Sequence, residues 1–439
     1  MINRLIGALG LPPAAPRITD TAEVKRLYQH WRMRTLYSMV IGYAIFYFCR
    51  KNLSIANPVI REELGMSATE MGLVLAVHSI VYGVSKFLSG IVADRANARY
   101  FMAIGLLASA TLNVFFGLSS VLWFFVIFWA LNGVFQASGV PPCSRMLTAW
   151  FSKKESGLYW GLWNASHQIG GFGISVLAGF LTANYGWRSA FVVPAIIAGI
   201  TALFLMERLR DRPAALGLPP INEYRGEAPS EKSKADDAEL SLSDLLLHHV
   251  LNNRVVWLVC FANFFVYVVR IGFLDWGTSY LSELGVEGDT AGWIVGLFEI
   301  TGLFGALAAG LISDHLTGGR RGPVSMIYMT GLIGTLLLFW LFPGAGVWYL
   351  ALLFGLVGVF VYGPQMLVAV VAAQAVPKGA GTAVGLTGLF GYLGAFACSL
   401  ITGYLLDNFG KEAVIEFYLA SAIIGTLLFA LTLGSERKS

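Results

Sequence analysis

Apolar runs long enough to cross a bilayer alternate with short polar breaks along nearly the whole chain. About 20 consecutive apolar residues in a helix match the hydrocarbon core of a membrane. Twelve such runs begin near positions 35, 69, 100, 122, 157 and 187 and, after a polar interval, near 255, 290, 323, 346, 380 and 413. The interval, Glu207 to Asn253, contains RLRDRPAALGLPP and then EAPSEKSKADDAEL; its prolines and mixed charge predict a solvated linker. SLSDLLLHH, at its end, predicts a short capped helix leading into the seventh span. The pattern divides the chain into an N-terminal segment 1–34, a six-helix half 35–206, a linker 207–253, a second half 254–433 and a tail 434–439. The predicted fold class is an all-α membrane protein, with twelve transmembrane helices in two pseudo-symmetric halves. The phrase LGLPP occurs at 9–13 and again at 216–220, for which chance is an adequate account.

Composition agrees with this pattern. The 439 residues are 56% hydrophobic and 13% charged, with mean hydropathy +0.67, whereas a soluble domain is about a quarter charged. A net charge of +4 is too small, and too spread out, to argue for nucleic acid. Its distribution is more informative. Lysine and arginine crowd the N-terminal segment, the central linker, the tail and the loops on that side, while the opposite loops hold only Arg61, Arg188 and Lys411. Both termini and the linker are therefore expected in the cytoplasm. Cys49, Cys143, Cys260 and Cys398 lie in or beside apolar runs without CxxC spacing, which predicts structural thiols, with no disulfide frame and no metal site; no cofactor is expected. The first twenty residues lack an apolar core and cleavage site, so no removed signal peptide is expected.

Charges inside the spans narrow the chemistry. The run YAIFYFCRKN sets Tyr43, Tyr47 and Arg50 at i, i+4 and i+7, on one helical face. An offset of 220 carries these positions onto Asn263, Tyr267 and Arg270, and carries Gly90 and Asp94 onto Gly310 and Asp314. That is the signature of an internal repeat. Lys86 follows Tyr82 by one turn in span two; Asn164, His167 and Gly171 share a stripe of span five. Asp275 and Glu299 add acids in spans seven and eight, and Tyr362 and Tyr392 mark spans ten and eleven. Intramembrane charges usually face a cavity or a partner, and the excess of cations predicts an anionic ligand. A guanidinium can donate two parallel hydrogen bonds to phosphate oxygens, so one arginine from each half could hold a phosphate between them. Mutual repulsion of the two arginines would disfavour closing the cavity empty and would favour exchange.

Plainer readings stand beside these. Lys51 is expected to snorkel at the outer end of span one. Lys86 serves either as a ligand cation or as a partner of an acid such as Glu299. His167 and the tyrosines serve either as ligand contacts or as packing, and Asp275 and Glu299 are expected to partner cations. No carboxylate cluster with metal spacing and no nucleophile–base pair stands by the arginines, which argues against an enzyme.

GIVADRANAR and GLISDHLTGGRRG resemble the cytoplasmic loop motif of the major facilitator superfamily. WGLWNASHQIGG, YGVSKF, GVPPCSR, RDRPAALGLPP and LTGLFGYLGA resemble its organophosphate:phosphate antiporter family, over about position 30 to the end. The resemblance implies the major facilitator fold and exchange of glycerol 3-phosphate or hexose phosphates for inorganic phosphate. It implies that Arg50 and Arg270 bind phosphate, with Lys86, His167, Tyr43, Tyr47, Tyr82, Tyr267, Tyr362 and Tyr392 in the substrate site. Asp94, Asp275, Glu299 and Asp314 are expected as structural or coupling charges. DRANARYFMAIGL, YVVRIGFLDWG and YQHWRMRTLY resemble the hexose-phosphate sensor and transporter branch. That branch includes a sensor of external glucose 6-phosphate, which has a histidine kinase as partner. Dedicated hexose-phosphate carriers place an acid and a lysine in span eleven; GLFGYLGAFACSL has neither and looks like the glycerol-phosphate carrier there. The expected function is hexose phosphate exchange by a monomer in the inner membrane, with sensing as the alternative.

Overall fold

The computed structural model describes residues 10–152, 154–227, 250–376 and 379–433, apart from the side chains of Phe87, Ile91 and Asp94. SLSDLLLHH, most of EAPSEKSKADDAEL and the tail 434–439 lie outside these residues. Regular structure is helical throughout the described residues, apart from a single isolated bridge between Gly10 and Ala96. The first half comprises α1 (Thr21–Phe48), α2 (Asn52–Leu64), α3 (Ala68–Arg95), α4 (Ala98–Leu118), α5 (Leu122–Gln136), α6 (Val140–Trp150), α7 (Ser156–Tyr185) and α8 (Ser189–Arg208). The second comprises α9 (Arg254–Glu283), α10 (Gly288–His315), α11 (Arg321–Leu341), α12 (Val347–Ala375) and α13 (Ala380–Thr432).

Nine helical stretches among the described residues are long and apolar enough to cross a membrane. One of them, α13, makes two crossings joined at Gly410, whose φ of 82° turns the chain. The first and fifth spans complete twelve: α1 and α2 form one span with a break, and α7 carries Asn164, His167 and Gln168 among its apolar residues. The internal repeat is visible in the helix bounds. An offset of 220 places both ends of α3 on both ends of α10. Helix α1 starts at Thr21, well before the apolar run at 35, because Asp20 accepts the Ala22 N–H at 2.9 Å and caps it.

Chain crossings define a terminal face, where α1 begins, and a far face. Trp123, Tyr185, Trp340 and Trp348 are exposed at helix ends on the far face, as an aromatic belt at a membrane–water boundary requires. The halves meet where α3 packs on α13 and α7 on α10. Gly403 of α13 sits against α3 so closely that a Cβ there would lie 2.4 Å from the Ala68 carbonyl oxygen, which only glycine allows. The described hydrogen bonds and ion pairs between the halves lie at or beyond the depth of Arg50, toward the far face. The protein is closed on that face.

The first part of the linker is packed rather than solvated. Asp211, 3% exposed, accepts the Ala98 N–H at 2.9 Å and pairs with Arg145 at 2.7 Å. Ala15 and Ile18 donate backbone N–H groups to the Ala214 and Gly217 carbonyls, both at 2.9 Å. The second LGLPP copy therefore lies against the segment that follows the first. Tyr28 stacks on Tyr224 with ring centroids 4.0 Å apart. Buried side-chain hydrogen bonds of this kind are the physical reason that a proline-rich, charged stretch leaves solvent.

Candidate functional site

Span one is interrupted at its middle. Helix α1 ends at Phe48, Cys49 to Lys51 form a turn, and α2 resumes at Asn52. A broken helix in a membrane leaves backbone groups that water cannot reach. Buried amides supply the partners. Asn132 and Asn113 donate to the Cys49 carbonyl at 2.8 and 3.0 Å, Gln136 donates to the Phe46 carbonyl at 3.0 Å, and Asn52 donates to Asn113 Oδ1 at 2.8 Å. The turn places Arg50, whose guanidinium carbon lies 4.1 Å from the Tyr47 ring centroid and 5.2 Å from that of Tyr82.

Arg270 stands instead within the unbroken α9. Its guanidinium carbon lies 4.9 Å from the Tyr362 ring and 5.4 Å from the Tyr267 ring, and Nη2 donates to the Tyr362 hydroxyl at 3.3 Å. Tyr362 in turn donates to Glu299 Oε2 at 2.5 Å. Glu299 is buried, is thereby engaged by Tyr362 rather than by Lys86, and abuts Gly171 of α7. Lys86 has its Nζ 5.6 Å from the Tyr392 ring and makes no ion pair among the described residues. Ring contacts continue across the boundary, with Tyr82 and Tyr392 centroids 5.0 Å apart and Tyr392 and Tyr267 5.7 Å apart.

His167 packs against Tyr43 and Tyr47 at 4.6 and 5.8 Å. Its Nδ1 lies 2.7 Å from the Asn164 carbonyl. A carbonyl only accepts, so Nδ1 carries hydrogen and Nε2 is left to exchange a proton or meet a ligand. Asn263, the counterpart of Tyr43, donates to the Thr387 carbonyl at 2.8 Å and so ties α9 to α13.

The expectation for Lys51 is overturned. It does not snorkel; its Nζ pairs with Asp275 Oδ1 across the two halves at 2.6 Å, with both side chains buried. Ser54 donates to the same oxygen at 2.8 Å, and Thr278 donates to the Ser54 carbonyl at 2.6 Å. Asp314 pairs with Arg321 at 2.6 Å on the terminal face, away from the cavity. The side chain of Asp94 lies outside the described residues.

One cavity of about 60 Å³ unites the two arginines. Arg50, Arg270, Tyr47, Tyr82 and Tyr392 line it, together with Lys51, Ser54, His78, Ser79, Trp129 and Asp275. The Nε atoms of Arg50 and Arg270 are buried without a protein partner among the described residues. Asp275 is paired with Lys51. Glu299, outside the lining, accepts from Tyr362 through Oε2, while its Oε1 has no protein partner among the described residues. The charges of Arg50 and Arg270 in the wall have no ion-pair partner among the described residues and their Nε donors are unpaired, which suits an anion. Sequence reasoning missed His78, Ser79 and Gln365. His78 bonds the Trp129 carbonyl at 2.9 Å, and Gln365 reaches the Tyr267 hydroxyl at 3.4 Å. Their residue types in apolar runs were the available signal.

The Major Facilitator Superfamily profile matches residues 39–399 and 278–438. A probable hexose phosphate transport protein of Chlamydia trachomatis is 42% identical, over 96% of this chain and 95% of that one. The membrane sensor protein UhpC of Escherichia coli is 41% identical over 98% of both chains. A glycerol-3-phosphate transporter of Bacillus subtilis is 38% identical over 97% of this chain and 98% of its own. Among solved structures, a bacterial homologue of the human lysosomal transporter Spinster superposes with a TM-score of 0.77 at 16% identity, over 93% of this chain and 97% of that one. That likeness concerns the fold. The profile and the full-length relatives show that the chain is a multi-pass membrane protein of the major facilitator superfamily, in its organophosphate:phosphate antiporter family, and not an enzyme.

Proposed function

We propose that the protein exchanges a hexose 6-phosphate for inorganic phosphate across the inner membrane by alternating access, with both termini in the cytoplasm. The carrying observation is that Arg50 and Arg270, one from each half, line one cavity with buried Nε donors free. A phosphate dianion there would be held by two guanidinium forks. Lys86, His167 and the surrounding tyrosines would orient the rest of the ligand. Relatives named for hexose phosphate and glycerol-3-phosphate support the substrate class.

Two like charges facing one cavity repel when it is empty, which favours reorientation with an anion bound. The test is uptake of labelled glucose 6-phosphate into liposomes, with glycerol 3-phosphate in parallel. Uptake that needs internal phosphate is expected, faster for the hexose ester. Uptake into liposomes without internal phosphate would rule out obligatory exchange. A second reading rests on the sensor relative at 41% identity: the same site could detect hexose phosphate and signal to a histidine kinase. Specific binding without uptake of either ester would favour it.

A further inference from the structure

The closed far face restricts how a ligand anchored at the arginines can lie. Beyond them stand the Lys51–Asp275 pair and the Thr278–Ser54 bond. Lys51, Ser54 and Asp275, which line the cavity on its far-face side, are bonded to one another across the halves and close it there. The body of a phosphate ester must therefore extend toward the terminal face. One helical turn in that direction along α9 is Tyr267, and one turn along α12 from Tyr362 is Gln365.

Gln365 is half-buried, and its Nε2 donates to the Tyr267 hydroxyl over a long 3.4 Å. Its Oε1 is buried with no protein partner. A buried acceptor without a donor is unfavourable, and a ligand hydroxyl would satisfy it. Gln365 lies outside the lining of the cavity between the arginines, and Tyr267, in contact with both Arg270 and Tyr392 of that lining, connects the two. A phenol offers a single oxygen, whereas Gln365 offers a separate NH₂ donor and C=O acceptor side by side, the complement of a vicinal diol. Phosphate needs no such group.

Resting on the proposed function, we infer that Gln365 is a specificity-determining residue that reads the hydroxyl-bearing body of the substrate, while the arginines read its phosphate. The experiment is calorimetric binding of inorganic phosphate and of glucose 6-phosphate to the purified full chain, wild type, Gln365→Leu and Gln365→Met. Loss of a hydrogen bond to a buried amide corresponds to about a tenfold change in affinity. The ratio of the glucose 6-phosphate Kd to the phosphate Kd is expected to rise about tenfold in both variants. An unchanged ratio overturns the inference. So does loss of phosphate binding in both variants, because Gln365 would then hold the fold. Failure of the exchange proposal shows separately, as wild-type binding without uptake; absence of any wild-type binding would sink both.

Discussion

Asp407, at the far-face end of the first α13 crossing, caps a helix of the other half. Its carboxylate accepts the Ala68 and Thr69 N–H groups at 2.8 and 2.7 Å and the Thr69 hydroxyl at 2.6 Å. The opening N–H groups of α3 have no partner within their own helix and favour negative charge. Here they find it across the boundary, with Arg61 3.9 Å from the same carboxylate. Parting the halves on this face breaks all of these contacts at once. Hydrogen bonds to a charged group contribute about 1.5–3 kcal/mol each, so Asp407→Ala should lower the closed-to-open equilibrium constant at least tenfold. Amide exchange at Ala68 and Thr69 reads this directly; unchanged protection in the variant would contradict the cap.

The Lys51–Asp275 pair predicts a similar shift nearer the cavity. Removing one member of a buried pair strands a charge, at a cost of about 3–5 kcal/mol. Because the pair joins two halves, the cost falls on the closed form and not on either half's fold. In Asp275→Ala, a cysteine at the buried Asn57 should react faster with an impermeant maleimide from the far side. Adding Lys51→Ala should partly reverse the gain, since no lone charge remains. Equal labelling in all three proteins would dismiss the pair as a gate.

The turn that aims Arg50 depends on amides. Replacing Asn132 by leucine removes the 2.8 Å donor to the Cys49 carbonyl, leaving a buried acceptor less satisfied at about 1–3 kcal/mol. Asn132→Leu is expected to lower Tm and to weaken phosphate binding together. A variant that melts earlier yet binds phosphate normally would separate the break from the site.

Lys86 has no carboxylate partner among the described residues. Lys86→Ala should therefore weaken organophosphate affinity about tenfold, the scale of one charge-assisted hydrogen bond, without moving Tm. Loss of folded protein instead would assign Lys86 to structure.

Much of this was legible in the chain. Hydropathy located the spans, because a bilayer imposes length and apolarity on each helix. The 220-residue offset found both arginines and the correspondence of α3 with α10. The break after Phe48 was not legible: a continuous apolar run looks the same whether or not a helix is interrupted, and the amides that permit it lie on α4 and α5. Lys51 was misread for a related reason. Its partner Asp275 is 224 residues away, and charge next to the end of an apolar run suggests snorkelling unless that partner is known. The packed linker depends on Asp211, Arg145 and the N-terminal segment meeting in space, which its own composition does not disclose.

In the proposed exchange, Arg50 and Arg270 hold one phosphate by paired hydrogen bonds. Arg270→Lys and Arg50→Lys keep the charge and remove the fork. Phosphate–phosphate exchange in liposomes, at matched protein incorporation, tests this most directly. At least a hundredfold loss is expected in each variant, about 3 kcal/mol. Exchange at the wild-type rate by either lysine variant would contradict it.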